Sequence, residues 1–339
     1  MVDKLNEESH RSKLDFNTLK SGGFIKQTQE NLFTVRLRCP GGRLTSQQLH
    51  KAAEIAEKYG RGELHTSMRQ SIEVPYVHYE NFDAIAASLR EINWSVASCG
   101  PRIRVPIACA GCTYNPNGLV DTQTMCAEVD KRYFGTATTH HKFKMSFSGC
   151  PIDCPRSREA DLGFQGIVEP QLVEDLCNAC GLCVVNCDEK ALTMVNALPL
   201  RDVNKCIYCG DCIKVCPIDA MIVGRIGWLV RVGGKHGRHP LFAYEVAQFV
   251  SDEQCYPIIE KTMEWYKANA KGRERIGGIF HRIGLNKYID EVIRPLKLEV
   301  IDQPEQRRKF WASGNLYQQD TEFQSRQNIE LWREKDNGS

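Results

Sequence analysis

The sequence has almost no excess of either charge and no long hydrophobic run. Its 339 residues include 44 Lys and Arg against 42 Asp and Glu, a formal net charge of +2. Nucleic acid is therefore not an expected partner, because phosphate backbones are bound by extended basic surfaces. No apolar stretch approaches the ~20 residues that a membrane-spanning helix requires. We expect a chain with no membrane span.

Two further signatures are missing. Residues 1–8 contain no apolar core of a secretory signal peptide, which predicts a cytoplasmic protein. The diglycines Gly41-Gly42 and Gly233-Gly234 do not extend into the G-x-G-x-x-G turn of dinucleotide sites. We therefore expect flavin and nicotinamide chemistry to reside in a partner protein.

Cysteine, in contrast, is abundant, with sixteen residues. Disulfide frameworks are typical of short secreted chains, whereas most of these cysteines have metal-ligand spacings in a long chain. The sequence thus predicts thiolate ligation. Four cysteines fit no ligand spacing and are interpreted as small buried hydrophobes: Cys39, Cys99, Cys126 and Cys255.

Two cysteine quartets lie within forty residues. They are Cys177, Cys180, Cys183 and Cys187, and then Cys206, Cys209, Cys212 and Cys216. Both have the C-x2-C-x2-C-x3-C spacing of bacterial two-cluster ferredoxins, in which the fourth cysteine of each run binds the other cluster. Zinc would require two cysteine pairs. Asp188 replaces the usual proline after the first quartet, which should alter a turn and not a ligand. We expect this segment to transfer electrons and to do no bond chemistry.

The hydrophobic pattern of residues 31–98 predicts strand, helix, strand, strand, helix, strand. Thr45 and Gln48 form a capping box at the start of the first helix, and Gly60 ends it. This order is that of the ferredoxin-like βαββαβ fold. Beyond it, strands at 103–108 and 141–147 are predicted to begin an α/β unit.

A pair of lysines precedes a pair of cysteines. Lys142 and Lys144 flank Phe143, and Cys150 and Cys154 follow as C-x3-C. Alternate residues of a strand share a face, so the two ammonium groups are expected side by side. Cations near a thiolate-bound metal suit an anionic substrate.

The K-F-K segment followed by G-C-P-I-D-C-P resembles the sirohaem domains of the sulfite and nitrite reductase family. In that family two cysteine pairs bind one 4Fe-4S cluster, and the last cysteine bridges the cluster to the sirohaem iron. The resemblance makes Cys150 and Cys154 the second pair, with Cys154 as the bridge.

The first cysteine pair departs from the family pattern. The family spacing C-x5-C would place the second cysteine of this pair at Asn115. We interpret Cys109 and Cys112 as a compressed C-x2-C pair, with Cys126 as the alternative to Cys112.

Other segments extend the resemblance. Residues 36–42 are similar to the family's R-x-P-G-G turn, and residues 66–70 and 233–238 to its T-x-R-Q and glycine-rich segments. The resemblance implies a substrate cage of Arg38, Arg104, Lys142 and Lys144. Sirohaem carries eight carboxylates, so the implied cofactor-binding residues are Arg69, Gln70, Lys235 and Arg238, with Cys154.

The resemblance and the pattern together predict an α+β protein of four parts. Residues 24–98 form a ferredoxin-like half-domain, and residues 99–168 with 226–300 form an α/β domain for sirohaem and its 4Fe-4S cluster. Residues 169–225 form an inserted two-cluster bacterial ferredoxin domain. Residues 301–339 form a polar tail.

Within the family, a single sirohaem unit with such an insert is similar to the C subunit of anaerobic sulfite reductases. The expected reaction is six-electron reduction of sulfite to sulfide, with one sirohaem, three 4Fe-4S clusters, and electrons from flavin- and iron-sulfur-containing reductase subunits. A single copy of the unit also suggests a homo- or hetero-oligomer. Nitrite reduction to ammonia and a polyferredoxin-type electron carrier without catalysis are the alternatives.

Overall fold

Three β-sheets organise residues 15–138 and 140–301, the parts of the chain that the computed structural model describes. Their order is four-stranded, six-stranded and two-stranded. Of the expected polar tail, all but residue 301 lies outside these described residues.

The four-stranded sheet forms the N-terminal unit. Its elements are α1 (Phe16–Ser21), β1 (Phe24–Lys26), β2 (Leu32–Arg36), α2 (Ser46–Tyr59), β3 (His65–Thr66), β4 (Ile72–His78) and α3 (Phe82–Arg90). The strand order is β1-β2-β4-β3, all antiparallel. Apolar faces of α2 and α3 meet the sheet in one core that includes Phe33, Val74, Ile55 and Leu89. The capping box of Thr45 and Gln48 is present.

The predicted last strand of this unit is reduced to a single bridge between Val96 and Leu37. The unpredicted strand β1 pairs with Phe33 to Val35 and takes the sheet edge beside β2. Residues near Val96 therefore pair with the chain only at the end of β2, where the N–H of Ala97 donates to the Arg36 carbonyl at 2.7 Å.

The six-stranded sheet forms the second unit, and it begins with β5 (Ile107–Ala108), α4 (Thr122–Tyr133), β6 (Met145–Ser148) and β7 (Leu162–Leu172). Two of these strands are shorter than predicted. Pro106 has no N–H for the sheet, so the first strand begins only after it. Before β6, the N–H of Lys144 donates to the Asp161 carboxylate at 2.8 Å and not to a neighbouring strand.

The polypeptide then leaves the sheet and carries both cysteine quartets. Its elements are α5 (Leu182–Val185), β8 (Leu192–Val195), β9 (Leu198–Arg201) and α6 (Asp211–Lys214). The two halves repeat each other: Gly181 and Gly210 precede α5 and α6 with φ of 74° and 79°. The Sγ atoms of Cys187 and Cys216 accept N–H groups four residues further on, at 3.3 and 3.2 Å.

The chain returns to the six-stranded sheet with β10 (Met221–Val232), β11 (Tyr244–Val250), α7 (Asp252–Asn269), α8 (Ile276–Ile283), α9 (Leu285–Tyr288) and β12 (Glu299–Val300). The strand order is β12-β11-β10-β7-β6-β5. β5, β6 and β7 are parallel, and the other pairs are antiparallel. Phe147 and Phe164 stack at 5.0 Å in the core, and Trp228 meets Phe147 edge-on. No helix in the described ranges is both long and apolar enough to cross a membrane.

Glycine is required where β7 passes the loop after β6. A Cβ on Gly166 would lie 2.5 Å from the Gly149 carbonyl oxygen and 2.6 Å from Val120 Cγ2. We expect Gly166→Ala to lower the free energy of unfolding by about 1–3 kcal/mol through overpacking, measured by urea denaturation. Gly22→Ala is the control, since its Cβ would meet no atom nearer than 3.5 Å. Equal stability of the two variants would contradict the expectation.

Candidate active site

Cys109 follows directly after β5 and is held on three sides. Its N–H donates to the Phe147 carbonyl at 3.2 Å. Its carbonyl accepts from Thr122 Oγ1 at 2.7 Å and from Gln123 Nε2 at 2.8 Å. Its Sγ accepts from the N–H of Gly149 at 3.0 Å. These bonds fix the thiol against the loop that follows β6.

Cys150 and Cys154 lie on that loop. Burial raises the pKa of the Cys150 thiol, and the neighbouring Cys109 and Cys154 raise it further, so the three thiols share one neighbourhood. Asp153 between them has φ of 57°. Its carboxylate accepts from the backbone N–H of Ser157 at 2.7 Å, which ties the loop down.

The two candidates for the fourth ligand differ in environment. Cys112 is exposed, on the turn after Cys109. Cys126 is fully buried in α4 and donates to the Pro106 carbonyl at 3.6 Å. Burial raises the Cys126 pKa far above its ordinary value. The accessible thiol of Cys112 is thus the better placed of the two for a ligand role.

Cations collect at the other end of β6. Burial lowers the pKa of Lys144 to about 8, and nearby Arg69, Arg275 and Lys142 lower it further. Burial likewise lowers the pKa of Arg69 to about 10, followed by the effect of Arg104. We call these five side chains the cation cluster. Phe143 points the other way, into the core, so Lys142 and Lys144 share a face as expected.

Arg104 carries an unsatisfied donor. Its Nη1 donates to Cys99 Sγ at 3.1 Å, as does Arg36 Nη1 at 3.2 Å. Its Nε is buried and has no hydrogen-bond partner. Burial lowers the Arg104 pKa, and the positive charges of Arg36 and Arg275 add to that effect. Such a donor fits an anionic acceptor supplied by a ligand.

One buried carboxylate offsets the cation cluster. Asp161 is 1% exposed and accepts from Arg275 Nε at 2.6 Å and Nη2 at 2.5 Å. It also accepts the backbone N–H of Lys144. Sequence reasoning missed both Asp161 and Arg275, because they lie 114 residues apart and belong to no recognisable motif.

Arg38 lies in a different environment from the cation cluster. Its Nε donates to Asp130 Oδ2 at 2.7 Å, and its guanidinium lies 3.9 Å from the centre of the Phe134 ring. Burial raises the Asp130 pKa. The structure therefore brings together three of the four predicted cage residues and holds Arg38 against α4.

The predicted cofactor residues are also distributed unevenly. Arg69 belongs to the cation cluster, and its Nη2 donates to the Val105 carbonyl at 2.6 Å. Both polar atoms of the Gln70 amide are used by the backbone of Ala108, at 2.6 and 3.0 Å. Gln70 thus anchors β5 beside Cys109. Lys235 is partly exposed and Arg238 is exposed, on the loop after β10.

The cysteine quartets line two cavities in the crossed pattern. A cavity of about 370 Å³ is lined by Cys187 together with Cys206, Cys209 and Cys212, and also by Cys150. A smaller one of about 20 Å³ is lined by Cys177, Cys180, Cys183 and Cys216. In residues 15–138 and 140–301 no three Cys, His, Asp or Glu side chains form a group that could hold a single metal ion. Thiols spread around a cavity suit a multi-iron cluster, since each iron takes its own thiolate.

Two family models match this chain. Residues 99–300 match the family model described as nitrite and sulphite reductase 4Fe-4S domain. Residues 25–92 match the nitrite/sulfite reductase ferredoxin-like half domain. The chain belongs to the nitrite and sulfite reductase family.

Among the curated relatives of this family member are a sulfite reductase and a subunit of another. The coenzyme F420-dependent sulfite reductase of Methanocaldococcus jannaschii is 32% identical over 286 residues, which cover 84% of this chain and 46% of that protein. The chain thus spans about half the length of that relative. The C subunit of the anaerobic sulfite reductase from Salmonella typhimurium is 26% identical over 311 residues, covering 82% of this chain and 88% of that one.

A solved structure of the same fold is dissimilatory sulfite reductase I. It superposes with a TM-score of 0.66 at 21% identity, over 80% of this chain and 70% of that chain. The expected α+β class and the family resemblance are confirmed.

Asp161→Asn should destabilise this family member strongly. It leaves the buried Arg275 guanidinium without its charge partner, which costs about 3–5 kcal/mol of unfolding free energy. Asp290→Asn is the matched control, because its pair with Arg294 is about 60% exposed on both sides (61% and 59%) and contributes little. Urea denaturation of both variants measures the difference. If both variants lost the same free energy of unfolding, the buried pair would contribute no more to stability than the exposed pair.

Proposed function

We propose that the chain is the catalytic subunit of a sulfite reductase, which reduces sulfite to sulfide at a sirohaem coupled to a 4Fe-4S cluster. The observation that carries this proposal is the cation cluster, which has one buried carboxylate at its centre and an unsatisfied arginine donor. The like charges of the cation cluster repel one another, and a bound anion would relieve this repulsion. The names of the sulfite reductases among its relatives support the same substrate.

The geometry of β6 separates two functions. The cation cluster lies before this four-residue strand and Cys150 after it, so roughly 13 Å of extended chain lies between them. We place the substrate at the cation end and the 4Fe-4S cluster at the cysteine end. The residues fit a macrocycle that bears carboxylates, because both the cations and the orphaned Arg104 Nε call for anionic oxygens.

In this proposal Cys109, Cys112, Cys150 and Cys154 would hold the 4Fe-4S cluster. Arg69, Lys235 and Arg238 bind carboxylates of the sirohaem. Gln70 serves the cofactor by holding β5, and so Cys109, in place. When bound, the cofactor pair would supply the electrons and the iron centre for the reduction of sulfite.

Arg104, Lys142 and Lys144 bind the substrate oxygens in this proposal. Guanidinium donors bind an oxygen in a fixed direction, and an ammonium can also give up a proton. Lys144 suits proton transfer because burial and its cationic neighbours hold its pKa near 8. Arg38 enters the cage on the family resemblance, with Asp130 fixing its guanidinium.

Electrons are proposed to enter through the inserted segment, residues 169–225, whose two crossed quartets hold two further 4Fe-4S clusters. Reductase subunits that carry flavin and iron-sulfur centres would supply them, in a homo- or hetero-oligomer. Polar tail residues have no part in the proposal.

Replacing Lys144 should lower turnover sharply and leave the cofactors in place. We expect Lys144→Met to lower sulfide release by about 10²-fold or more, as loss of a general acid does, with sirohaem absorption unchanged. Anaerobically purified protein is assayed with reduced viologen, and sulfide from sulfite is compared with ammonia from nitrite. Lys261→Met, on the exposed side of α7, is the control.

Each outcome of this assay decides between functions. Preferred ammonia release would identify a nitrite reductase. Iron-sulfur absorption without tetrapyrrole bands in a preparation supplied with sirohaem would identify an electron carrier.

The activity should also depend on pH through Lys144. Its pKa is lowered to about 8, so the ammonium is charged below that pH and loses its proton above it. We expect KM for sulfite to rise as the pH increases from 8 to 9.5. In Lys144→Arg this rise should disappear, because a guanidinium stays charged throughout. An identical pH profile in both proteins would refute the assignment.

A further inference from the structure

One side of the inserted segment is seated on the body of the protein. The N–H of Val168 donates to the Tyr208 carbonyl at 3.0 Å. Gly210 passes so close that a Cβ there would lie 2.6 Å from Val168 Cγ1. Lys214 Nζ donates to Asn117 Oδ1 at 3.0 Å, which ties α6 to the loop that follows Cys112. All three contacts come from the second cysteine run.

The two cavities of the insert therefore differ in position. The larger one is lined by Cys187, Cys206, Cys209 and Cys212 and shares Cys150 with the body. The smaller one is lined by the other quartet, and its only wall from the six-stranded sheet is made by the ends of β7 and β10, at Leu172 and Met221. We call the first the junction quartet and the second the distal quartet.

This inference rests on the proposed function, in which electrons run from the distal to the junction quartet and then to the cluster at Cys150, and it assigns a residue to that path. We propose that Lys214 is the positioning residue of the junction between the insert and the body. In each step one electron leaves one cluster, which is oxidised, and reduces the next. The reductase subunits act as the reductant.

The charge of Lys214 explains its role. Each reduction adds a negative charge to a cluster, and a fixed cation nearby stabilises the reduced form. Lys214 and Cys150 line the same junction cavity, so the ammonium lies between the junction quartet and the body. Its second partner, Asp211 Oδ1 at 3.2 Å, holds the side chain over α6. The side chain is 40% exposed, so solvent weakens the effect without removing it.

The chain offers a matched control for this charge. Lys205 pairs with Asp202 three residues before it, as Lys214 does with Asp211, and its side chain is 45% exposed. Lys205 stands next to Cys206 but does not line the junction cavity. Each substitution removes one positive charge from the surroundings of the junction quartet. Of these two lysines, Lys214 alone contacts the body, at Asn117.

The experiment is a potentiometric titration of the holoprotein with dithionite, followed by electron paramagnetic resonance. Cys180→Ser removes the distal signal and thereby assigns the junction signal. At a fixed potential we expect Lys214→Gln to lower the reduced-to-oxidised ratio of the junction cluster roughly threefold. Reduction of the cluster at Cys150 after rapid mixing should slow. Lys214→Arg should restore both, and Lys205→Gln should leave both near wild type.

A second measurement tests the order of the clusters. Spin coupling between the cluster at Cys150 and its neighbour should vanish in Cys209→Ser and persist in Cys180→Ser. The reverse result, equal shifts in Lys214→Gln and Lys205→Gln, or an insert without iron-sulfur signals would overturn the inference.

Failure of the inference is separate from failure of the proposed function. A protein that shows the Lys214 shift and releases no sulfide refutes sulfite reduction and keeps the electron path. A protein that releases sulfide without the shift refutes the role of Lys214 alone.

Discussion

The pairing of β7 with β10 is the constraint on which the site depends. The two strands pair antiparallel from Leu162 opposite Val232 to Leu172 opposite Met221, with one shift of register between Val223 and Arg225. Eleven residues at the spacing of a strand make a ribbon of roughly 36 Å. Asp161 and the cation cluster lie at one end, and the inserted segment leaves from the other. The β7–β10 ribbon thus sets the distances between the cation cluster, the cysteine loop after β6 and the inserted segment.

β6 uses this ribbon as its template. It pairs in parallel with the first part of β7, from Met145 opposite Leu162 to Ser148 opposite Gln165. Lys144 and Cys150 are therefore held at opposite ends of one short strand, and neither can shift without breaking the sheet. Sequence proximity alone suggested that the lysines lie beside the cysteines. The extended backbone of β6 separates them instead.

Local signals in the sequence were enough for most elements. The capping box at Thr45 and the spacing of the cysteine quartets both depend on residues near one another along the chain. The pattern failed where tertiary pairing decides, as at the edge of the N-terminal sheet that β1 takes from residues 94–97. Arg275 and Asp161 could not be predicted, since only the fold brings them together. The separate position of Arg38 could not be predicted for the same reason. Its partner Asp130 belongs to α4, which only the fold brings next to it.

The cation cluster is only partly offset by Asp161, so its charges make the stability of the fold depend on a bound anion. A ligand that binds only the folded form stabilises it by about 2.7 kcal/mol at a concentration one hundred times its Kd. The sirohaem of the proposed function would do this by relieving the mutual repulsion of Lys144, Arg69 and Arg104. In that case the chain without cofactor is the form more exposed to proteolysis, and the amount of folded protein would follow the supply of the cofactor.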